Sequence, residues 1–210
     1  MLYSGSINDA TKMTPQTFVM IGKSGCGKGT QVEKIKEYLK QKDGNRTAIH
    51  VETGKLFREF VSGEKHTQKL SKEIADVGGL QPEFLTVSIW SQFLVDNMTS
   101  DCHLIFDGTP RKFDEAHVLD TAFNFYKREK PFIIFMDADN DVVVPRLLAR
   151  GRSDDNESAI KTRLQWFNDQ VMKVVDYYRT SPDYKFIRID SSQSIDRVFH
   201  DILSATGLGA

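Results

Sequence analysis

The sequence predicts an α/β fold in which five parallel strands form one sheet with helices on both faces. Apolar runs of strand type recur along the chain, and segments with helical periodicity separate them. This alternation is typical of parallel sheets, because a crossover helix joins each pair of strands. The 210 residues are enough for one good core that carries small inserted subdomains.

Each predicted element has its own sequence signal. The five apolar runs predict strands at residues 18–21, 48–51, 104–106, 132–136 and 186–189. Apolar residues at helical spacing predict a first helix after the first strand, a long helix over 160–178 and a last helix over 195–202. Ser181 and Pro182 end the long helix. We expect these apolar stripes to pack in the core.

A phosphate-binding loop follows the first predicted strand. Residues 22–30, GKSGCGKGT, match the pattern G-x-x-x-x-G-K in its required setting between a strand and a helix. Glycines there let successive N–H groups converge on a phosphate, together with the positive end of the helix. Lys28 adds a mobile positive charge. Gly29 stands where Ser or Thr is expected, so Thr30 becomes the candidate hydroxyl near a magnesium ion.

Further candidate residues follow the second and third strands, where parallel sheets bind their ligands. The second strand leads into Thr53 and Gly54, and the third ends in Asp107 and Gly108. A buried strand that ends in a carboxylate places an acid beside a nucleotide-bound magnesium ion. Asp107 could instead cap the next helix, but the phosphate loop favours the metal role. We therefore predict Mg²⁺ as a cofactor, held through water near Thr30 and Asp107.

Composition excludes several classes of partner. The formal net charge of −1 gives no general attraction to nucleic acid or to anionic membranes. The first 15 residues lack the apolar core of a signal peptide, and no apolar run approaches the ~18 residues of a membrane span. The two cysteines and five histidines lack metal-ligand spacing. We expect a soluble, cytoplasmic protein that binds neither nucleic acid nor membranes.

Three further segments resemble the nucleoside monophosphate kinases, and the adenylate kinase family most closely. They are HVETGKLFR at 50–58, VGGLQP at 77–82 and DGTPR at 107–111, and arginines at 146–163 resemble the donor and lid arginines. The resemblance runs from about residue 18 to the C-terminus in the family's order. It implies a P-loop NTPase-like core of residues 1–51, 82–150 and 157–210, a helical acceptor-binding insert at 52–81 and a short lid at 151–156.

The resemblance also assigns site residues. The predicted ATP-binding residues are Gly25, Cys26, Gly27, Lys28, Gly29, Thr30, Arg146, which is expected to stack on the donor adenine, and Gln193. The predicted AMP-binding residues are Thr53, Arg58, Gly79, Leu80, Gln81, Gly108, Arg111 and Glu115. The predicted catalytic residues are Lys28, Arg111, Arg150, Arg152 and Arg163. Three residues depart from the adenylate kinase pattern: Lys55 replaces an Asp, Thr109 an aromatic residue, and Glu115 the Gln that recognises adenine.

These residues suit phosphoryl transfer between nucleotides. The acceptor oxygen of a monophosphate is already an anion, so the reaction needs charge neutralisation and alignment more than a base. We expect the reaction ATP + AMP ⇌ 2 ADP. A kinase for GMP or a pyrimidine monophosphate is one alternative, and a slow nucleotide-binding switch or assembly factor is another. Arg58 and Arg111 favour a kinase, because a switch needs no second phosphate site. The resemblance also implies a monomer.

Overall fold

The computed structural model describes residues 13–152 and 155–209, and it contains the predicted five-stranded parallel sheet. The strands are β1 (Thr17–Gly22), β2 (Ala48–Glu52), β3 (His103–Asp107), β4 (Phe132–Asp137) and β5 (Lys185–Asp190). Their order in the sheet is β2-β3-β1-β4-β5, with every neighbouring pair parallel. All five predicted strands are confirmed, and each extends one residue beyond its apolar run at one or both ends.

Helices follow the strands as the periodicity predicts. They are α1 (Lys28–Lys42), α2 (Thr53–Phe60), α3 (His66–Asp76), α4 (Glu83–Asn97), α5 (Phe113–Phe125), α6 (Asn140–Arg150), α7 (Glu157–Trp166), α8 (Met172–Thr180) and α9 (Ile195–Thr206). A π-helical segment, Phe167–Val171, joins α7 to α8. The long helix expected over 160–178 is therefore interrupted. Side-chain periodicity did not predict this segment, because the apolar face continues through it.

The core lies on both faces of the sheet, as the fold class requires. Val19 and Ile21 of β1 belong to an apolar cluster on one face, and Phe18 and Met20 belong to a cluster on the other. Successive side chains of a strand point to opposite faces, so β1 is buried on both sides. This burial fixes the end of β1, from which the glycine-rich loop starts.

The ranges expected for the insert and the lid have different structures. Residues 52–81 contain the two helices α2 and α3, whereas the described part of 151–156 contains no helix. Ser153 and Asp154 of the expected lid lie outside the described residues, as do residues 1–12, where a signal peptide was not expected. The division into core, insert and lid stays a prediction. Within 13–152 and 155–209, no helix has the length and apolar character that a membrane span requires.

Candidate active site

One cavity of about 880 Å³ lies at the carboxyl ends of the strands. Its volume is in the upper part of the range of ligand pockets, about 300–1,000 Å³. Most of the residues singled out in the sequence line it. They are Gly25, Cys26, Gly27, Lys28, Gly29, Thr30, Arg58, Gly79, Gln81, Asp107, Gly108, Arg111, Arg146, Arg150, Arg152, Arg163 and Gln193.

Three of the expected acceptor residues do not line this cavity: Thr53, Leu80 and Glu115. Thr53 is buried, and its hydroxyl donates a hydrogen bond of 2.9 Å to Oγ1 of Thr109. Glu115 is also buried, and its Oε2 accepts a bond of 2.8 Å from the backbone N–H of Arg111. Burial raises the pKa of the Glu115 carboxyl, against the lowering effect of the bond from Arg111. Both side chains expected to contact the acceptor base are therefore engaged with the protein.

The glycine-rich loop has the backbone geometry that phosphate binding needs. Gly25 and Gly27 have φ angles of 83° and 99°, which L side chains rarely adopt. A Cβ atom at Gly25 would lie 2.8 Å from the carbonyl oxygen of Val143, so the loop also packs too closely on α6 for a side chain. The ammonium group of Lys28 donates to the carbonyls of Gly22 (2.8 Å) and Lys23 (3.0 Å). Lys28 is thus held over the concave side of its own loop.

Arginines that follow β2 and β3 also line the cavity. Arg111 donates from Nε to the carbonyl of Gly108 at 2.7 Å, and Arg58 pairs with Glu52 at 2.8 Å. Burial lowers the pKa of the Arg111 guanidinium, and the nearby Arg163 and Arg58 lower it further, against the opposing effect of Glu115 and Asp107. The guanidinium groups of Arg58 and Arg163 are therefore close enough to Arg111 to repel it. A bound phosphate would relieve this repulsion, and the planar arginine fork suits its oxygens.

Asp155 holds two of the other predicted arginines in place. Its carboxylate accepts two bonds of 2.8 Å from Arg150 and one of 2.9 Å from Arg163. The Asp155 side chain has no exposed surface. Burial alone would raise the pKa of this carboxyl, but the bonds from Arg150 and Arg163 keep it below its usual value. The backbone N–H of Arg152 lies 3.4 Å from Oδ2 of the same carboxylate.

Arg146 and Gln193 lie together beyond the end of β5. Arg146 donates to the backbone carbonyls of Ser191 at 3.1 Å and Ser192 at 3.4 Å. Gln193 donates to the carbonyl of Asp190 at 3.1 Å and to Asp201 at 3.2 Å. Both side chains line the cavity, and they follow β4 and β5, which lie on the other side of β1 from β2 in the sheet. This is the side where the donor base is expected.

The residues present fit a magnesium ion that arrives with a nucleotide. A Cβ atom at Gly29 would lie 3.8 Å from Oδ2 of Asp107, so the Asp107 carboxylate faces the start of α1, where Thr30 is exposed. Among residues 13–152 and 155–209, no group of three or more His, Cys, Asp or Glu side chains could hold a metal ion. Magnesium commonly takes one or two carboxylates with phosphate oxygens and water. Asp107 and Thr30 suit this mode of binding.

Trp166 lines the cavity beside Arg111, although the sequence motifs did not predict it as a site residue. The centre of its ring lies 5.4 Å from Cζ of Arg111, and its Nε1 donates to the carbonyl of Gly78 at 2.9 Å. One signal for it was available. Trp166 follows Arg163 by three residues, and residues at this spacing share a helix face.

Comparisons with known proteins agree with this geometry. A family model described as adenylate kinase matches residues 20–182. An adenylate kinase of Corynebacterium urealyticum is 32% identical over 187 residues, which cover 89% of this chain and 97% of that protein. An adenylate kinase of Flavobacterium psychrophilum is 31% identical, with 89% and 97% covered. A uridylate kinase of Saccharomyces cerevisiae is 32% identical, with 89% and 88% covered.

Proposed function

Because the chain belongs to the adenylate kinase family, whose members are nucleoside monophosphate kinases, we propose that it catalyses ATP + AMP ⇌ 2 ADP with Mg²⁺. One observation carries this proposal. Lys28 and its loop follow β1, whereas Arg58 and Arg111 follow β2 and β3, which lie to one side of β1 in the sheet, and all of them line the same cavity. Two separate sets of phosphate-binding groups around one cavity suit the transfer of a phosphoryl group between two nucleotides.

Each set of residues has a distinct role in this reaction. The loop N–H groups and Lys28 bind the β and γ phosphates of ATP, while Arg58 and Arg111 hold the phosphate of the acceptor in line with them. Arg150, Arg152 and Arg163 surround the transferred group, where fixed cations stabilise developing charge. When bound, Mg²⁺ neutralises charge on the β and γ oxygens, and Thr30 and Asp107 hold it through water. No side chain has to remove a proton.

The donor and acceptor bases occupy opposite ends of the cavity in this proposal. Arg146 and Gln193 bind the donor base beyond β5, and Gly79, Leu80, Gln81 and Gly108 border the acceptor. Closure of residues 52–81 and 151–156 over the cavity excludes water, which would otherwise take the phosphoryl group.

A pyrimidine monophosphate is the second candidate acceptor. The relative named uridylate kinase matches this chain at 32% identity, as the adenylate kinase of Corynebacterium urealyticum does. The side chains of Thr53 and Glu115 are bonded to Thr109 and to the Arg111 backbone, and neither residue lines the cavity. AMP remains the first candidate because most of the relatives compared bear the name adenylate kinase.

A panel of monophosphates tests the proposal directly. AMP, GMP, UMP and CMP are each supplied with ATP and Mg²⁺, and ADP formation is measured with a coupled assay. We expect AMP to give the highest kcat/KM and the rate to fall to background when the metal is chelated. A higher kcat/KM for UMP or GMP would change the assigned acceptor. ATP hydrolysis that does not depend on any monophosphate would support the switch or assembly factor instead.

A further inference from the structure

Trp166 joins two parts of the acceptor side of the cavity. It is the last residue of α7, directly before the π-helical segment, and it is half-buried. Its Nε1 donates to the carbonyl of Gly78 at 2.9 Å, and its ring lies against the Arg111 guanidinium, 5.4 Å from ring centre to Cζ. One side chain therefore contacts both the turn after α3 and a phosphate-binding arginine.

The contact with Gly78 fixes the turn that borders the acceptor. Gly78 has a φ of 71°, and a Cβ atom there would lie 2.6 Å from the carbonyl oxygen of Ala159. Ala159 and Trp166 are two helical turns apart, so they lie on the same face of α7. The turn is thus held against α7 at two points, by backbone packing at Ala159 and by the indole hydrogen bond.

The contact with Arg111 involves a guanidinium whose charged form burial disfavours. Arg163 and Arg58 repel the buried Arg111 guanidinium, while Asp107 and Glu115 attract it. The indole ring offers a cation–π surface, which is worth more when the cation is desolvated. Together with the Gly108 carbonyl, 2.7 Å from Nε, the ring keeps the guanidinium at the wall of the cavity.

We propose that Trp166 is a positioning residue for the monophosphate acceptor, acting through Arg111 and through the turn at Gly78. This inference rests on the proposed kinase function. It predicts that Trp166 sets the affinity for the acceptor, while ATP affinity and the rate at saturation depend on other residues. The indole should also sense acceptor binding, because both of its partners border the acceptor.

Fluorescence tests whether the indole of Trp166 senses acceptor binding. The chain has two tryptophans, so Trp90→Phe leaves Trp166 as the only one. Trp90 is 1% exposed, packs on Phe106 in the core, and its Nε1 has no hydrogen-bond partner within the described residues, so Phe is a mild replacement. In this background AMP should change the indole emission in a saturable way, and ATP alone should change it much less. An emission that AMP leaves unchanged, although calorimetry shows AMP binding, would overturn the proposal.

The kinetics of Trp166→Phe and Trp166→Leu test whether Trp166 sets the affinity for the acceptor. Leu removes both contacts and should raise the KM for AMP about 10-fold, with kcat and the KM for ATP within about 2-fold of the parent. Phe keeps a ring face for Arg111 and should recover part of the loss. Thermal melts of both variants monitor folding, and Trp90→Phe is the matched control.

The outcomes separate the two proposals. An unchanged KM for AMP in Trp166→Leu would overturn the positioning role and leave the kinase intact. Equal losses for AMP and ATP, with no recovery by Phe, would show a merely structural role and would also overturn it. If the parent protein binds no monophosphate at all by calorimetry, the proposed function itself fails.

Discussion

Lys28 is the residue whose loss should cost most in rate and least in folding. The observed hydrogen-bond partners of its ammonium group are two backbone carbonyls of its own loop and the Cys26 sulfur. Lys28 therefore contributes charge more than packing. We expect Lys28→Met to lower kcat about 100-fold or more, because it removes one preorganised charge from the transferred phosphoryl group. Steady-state kinetics and a thermal melt of the same sample check both halves of this expectation.

Lys36 provides a matched control on the same helix. It pairs with Glu33 at 2.9 Å on the outer face of α1 and does not line the cavity. Lys36→Met should therefore leave kcat unchanged. If Lys28→Met keeps activity within a few-fold of the parent, the role assigned to Lys28 is wrong.

Arg58 and Arg111 should affect the acceptor far more than the donor. Both line the cavity and follow β2 and β3, away from the loop that follows β1. A charge-assisted hydrogen bond contributes about 1.5–3 kcal/mol, so Arg58→Ala or Arg111→Ala should raise the KM for AMP about 10-fold or more. The KM for ATP should change by less than about 3-fold. Separate titrations with ATP and AMP measure this.

Arg179 is the control for these two variants. It pairs with Asp176 on α8, and 61% of its side chain is exposed. Arg179→Ala should leave both KM values unchanged. Equal weakening for ATP and AMP in Arg58→Ala or Arg111→Ala would mean that these arginines belong to another part of the site.

Glu115 stands where the adenylate kinase pattern has the Gln that recognises adenine, so it is the position at which base recognition can be tested. A Gln at this position keeps the bond from the Arg111 backbone N–H through its amide oxygen, and its NH₂ group could also donate to adenine. We expect Glu115→Gln to preserve or improve kcat/KM for AMP, with a gain of about 1–3 kcal/mol if residue 115 turns to face the base. The measured quantity is the ratio of kcat/KM for AMP to that for GMP.

Asp114 supplies a neighbouring carboxylate for comparison. It is exposed in the first turn of α5, so Asp114→Asn removes the same charge without touching the cavity. This variant should leave the AMP-to-GMP ratio unchanged. A parent enzyme that prefers GMP, with a preference that Glu115→Gln reverses, would contradict the assignment of AMP.

The elements that carry the site differ in how far their sequence predicts them. The strands were predictable because each contains a short apolar run, and the three central strands are almost fully buried, as Phe18 to Ile21 are in β1. The phosphate loop was predictable because its conformation depends on glycines within it. The bonds from Thr53 to Thr109 and from Arg111 to Glu115 were not, because no local pattern specifies which polar group a buried side chain will meet.

Asp155 links the segment between α6 and α7 to the arginines on those helices. It anchors Arg150 from α6 and Arg163 from α7 through one buried carboxylate. Removing one partner of a buried ion pair costs about 3 kcal/mol, so Asp155→Asn should lower the melting temperature. It should also lower kcat about 10-fold or more, because both arginines lose their fixed orientation.

Asp176→Asn is the control for Asp155→Asn. Asp176 pairs with Arg179 at 2.8 Å on an exposed face, where ion pairs contribute little. This variant should change neither melting temperature nor kcat. An Asp155→Asn variant that melts earlier but keeps the kcat of the parent would show that Asp155 stabilises the fold without orienting the arginines.

For the molecule as a whole, the sequence predicted which residues lie together at the site, but it predicted neither the order of the strands nor every residue of the site. Residues after β1, β2 and β3 were expected at one edge of the sheet, and Lys28, Arg58 and Asp107 do line one cavity there. The strand order depends on packing between segments that are distant in sequence, so no local pattern predicts it. Trp166 was missed for a related reason. Its partners Gly78 and Arg111 are far from it in sequence, and only the folded chain brings them together.

At the amino ends of the strands, a buried histidine makes the stability of the molecule depend on pH. His103 begins β3 and is fully buried. Its Nδ1 accepts from the backbone N–H of Gln16 at 3.0 Å, and its Nε2 lies 3.3 Å from Asp43 at the end of α1. Burial lowers the pKa of His103, and Arg46 and Arg128 lower it further, against the opposing effect of Asp43. His103 therefore stays neutral in the folded protein at a pH where it would be protonated in the unfolded chain.

The direction of the pH effect follows from this lowered pKa. Above the unfolded pKa of about 6.5, neither state binds a proton at His103, so the free energy of unfolding does not depend on it. Below that value the unfolded state takes up a proton that the folded state resists, and the protein becomes less stable. We expect His103 to account for a loss of up to about 1.4 kcal/mol between about pH 7.5 and about pH 5.5. Burial also lowers the pKa of His50, which adds a loss in the same direction.

His103→Asn isolates this contribution, because the Asn oxygen can accept the Gln16 N–H without titrating. Denaturant unfolding at both pH values should show a smaller loss of stability for this variant than for the parent, whatever its absolute stability. His200 is the control, since 71% of its side chain is exposed and His200→Asn should leave the loss unchanged. An equal pH-dependent loss in the parent and in His103→Asn would mean that burial of His103 does not control the acid sensitivity of the fold.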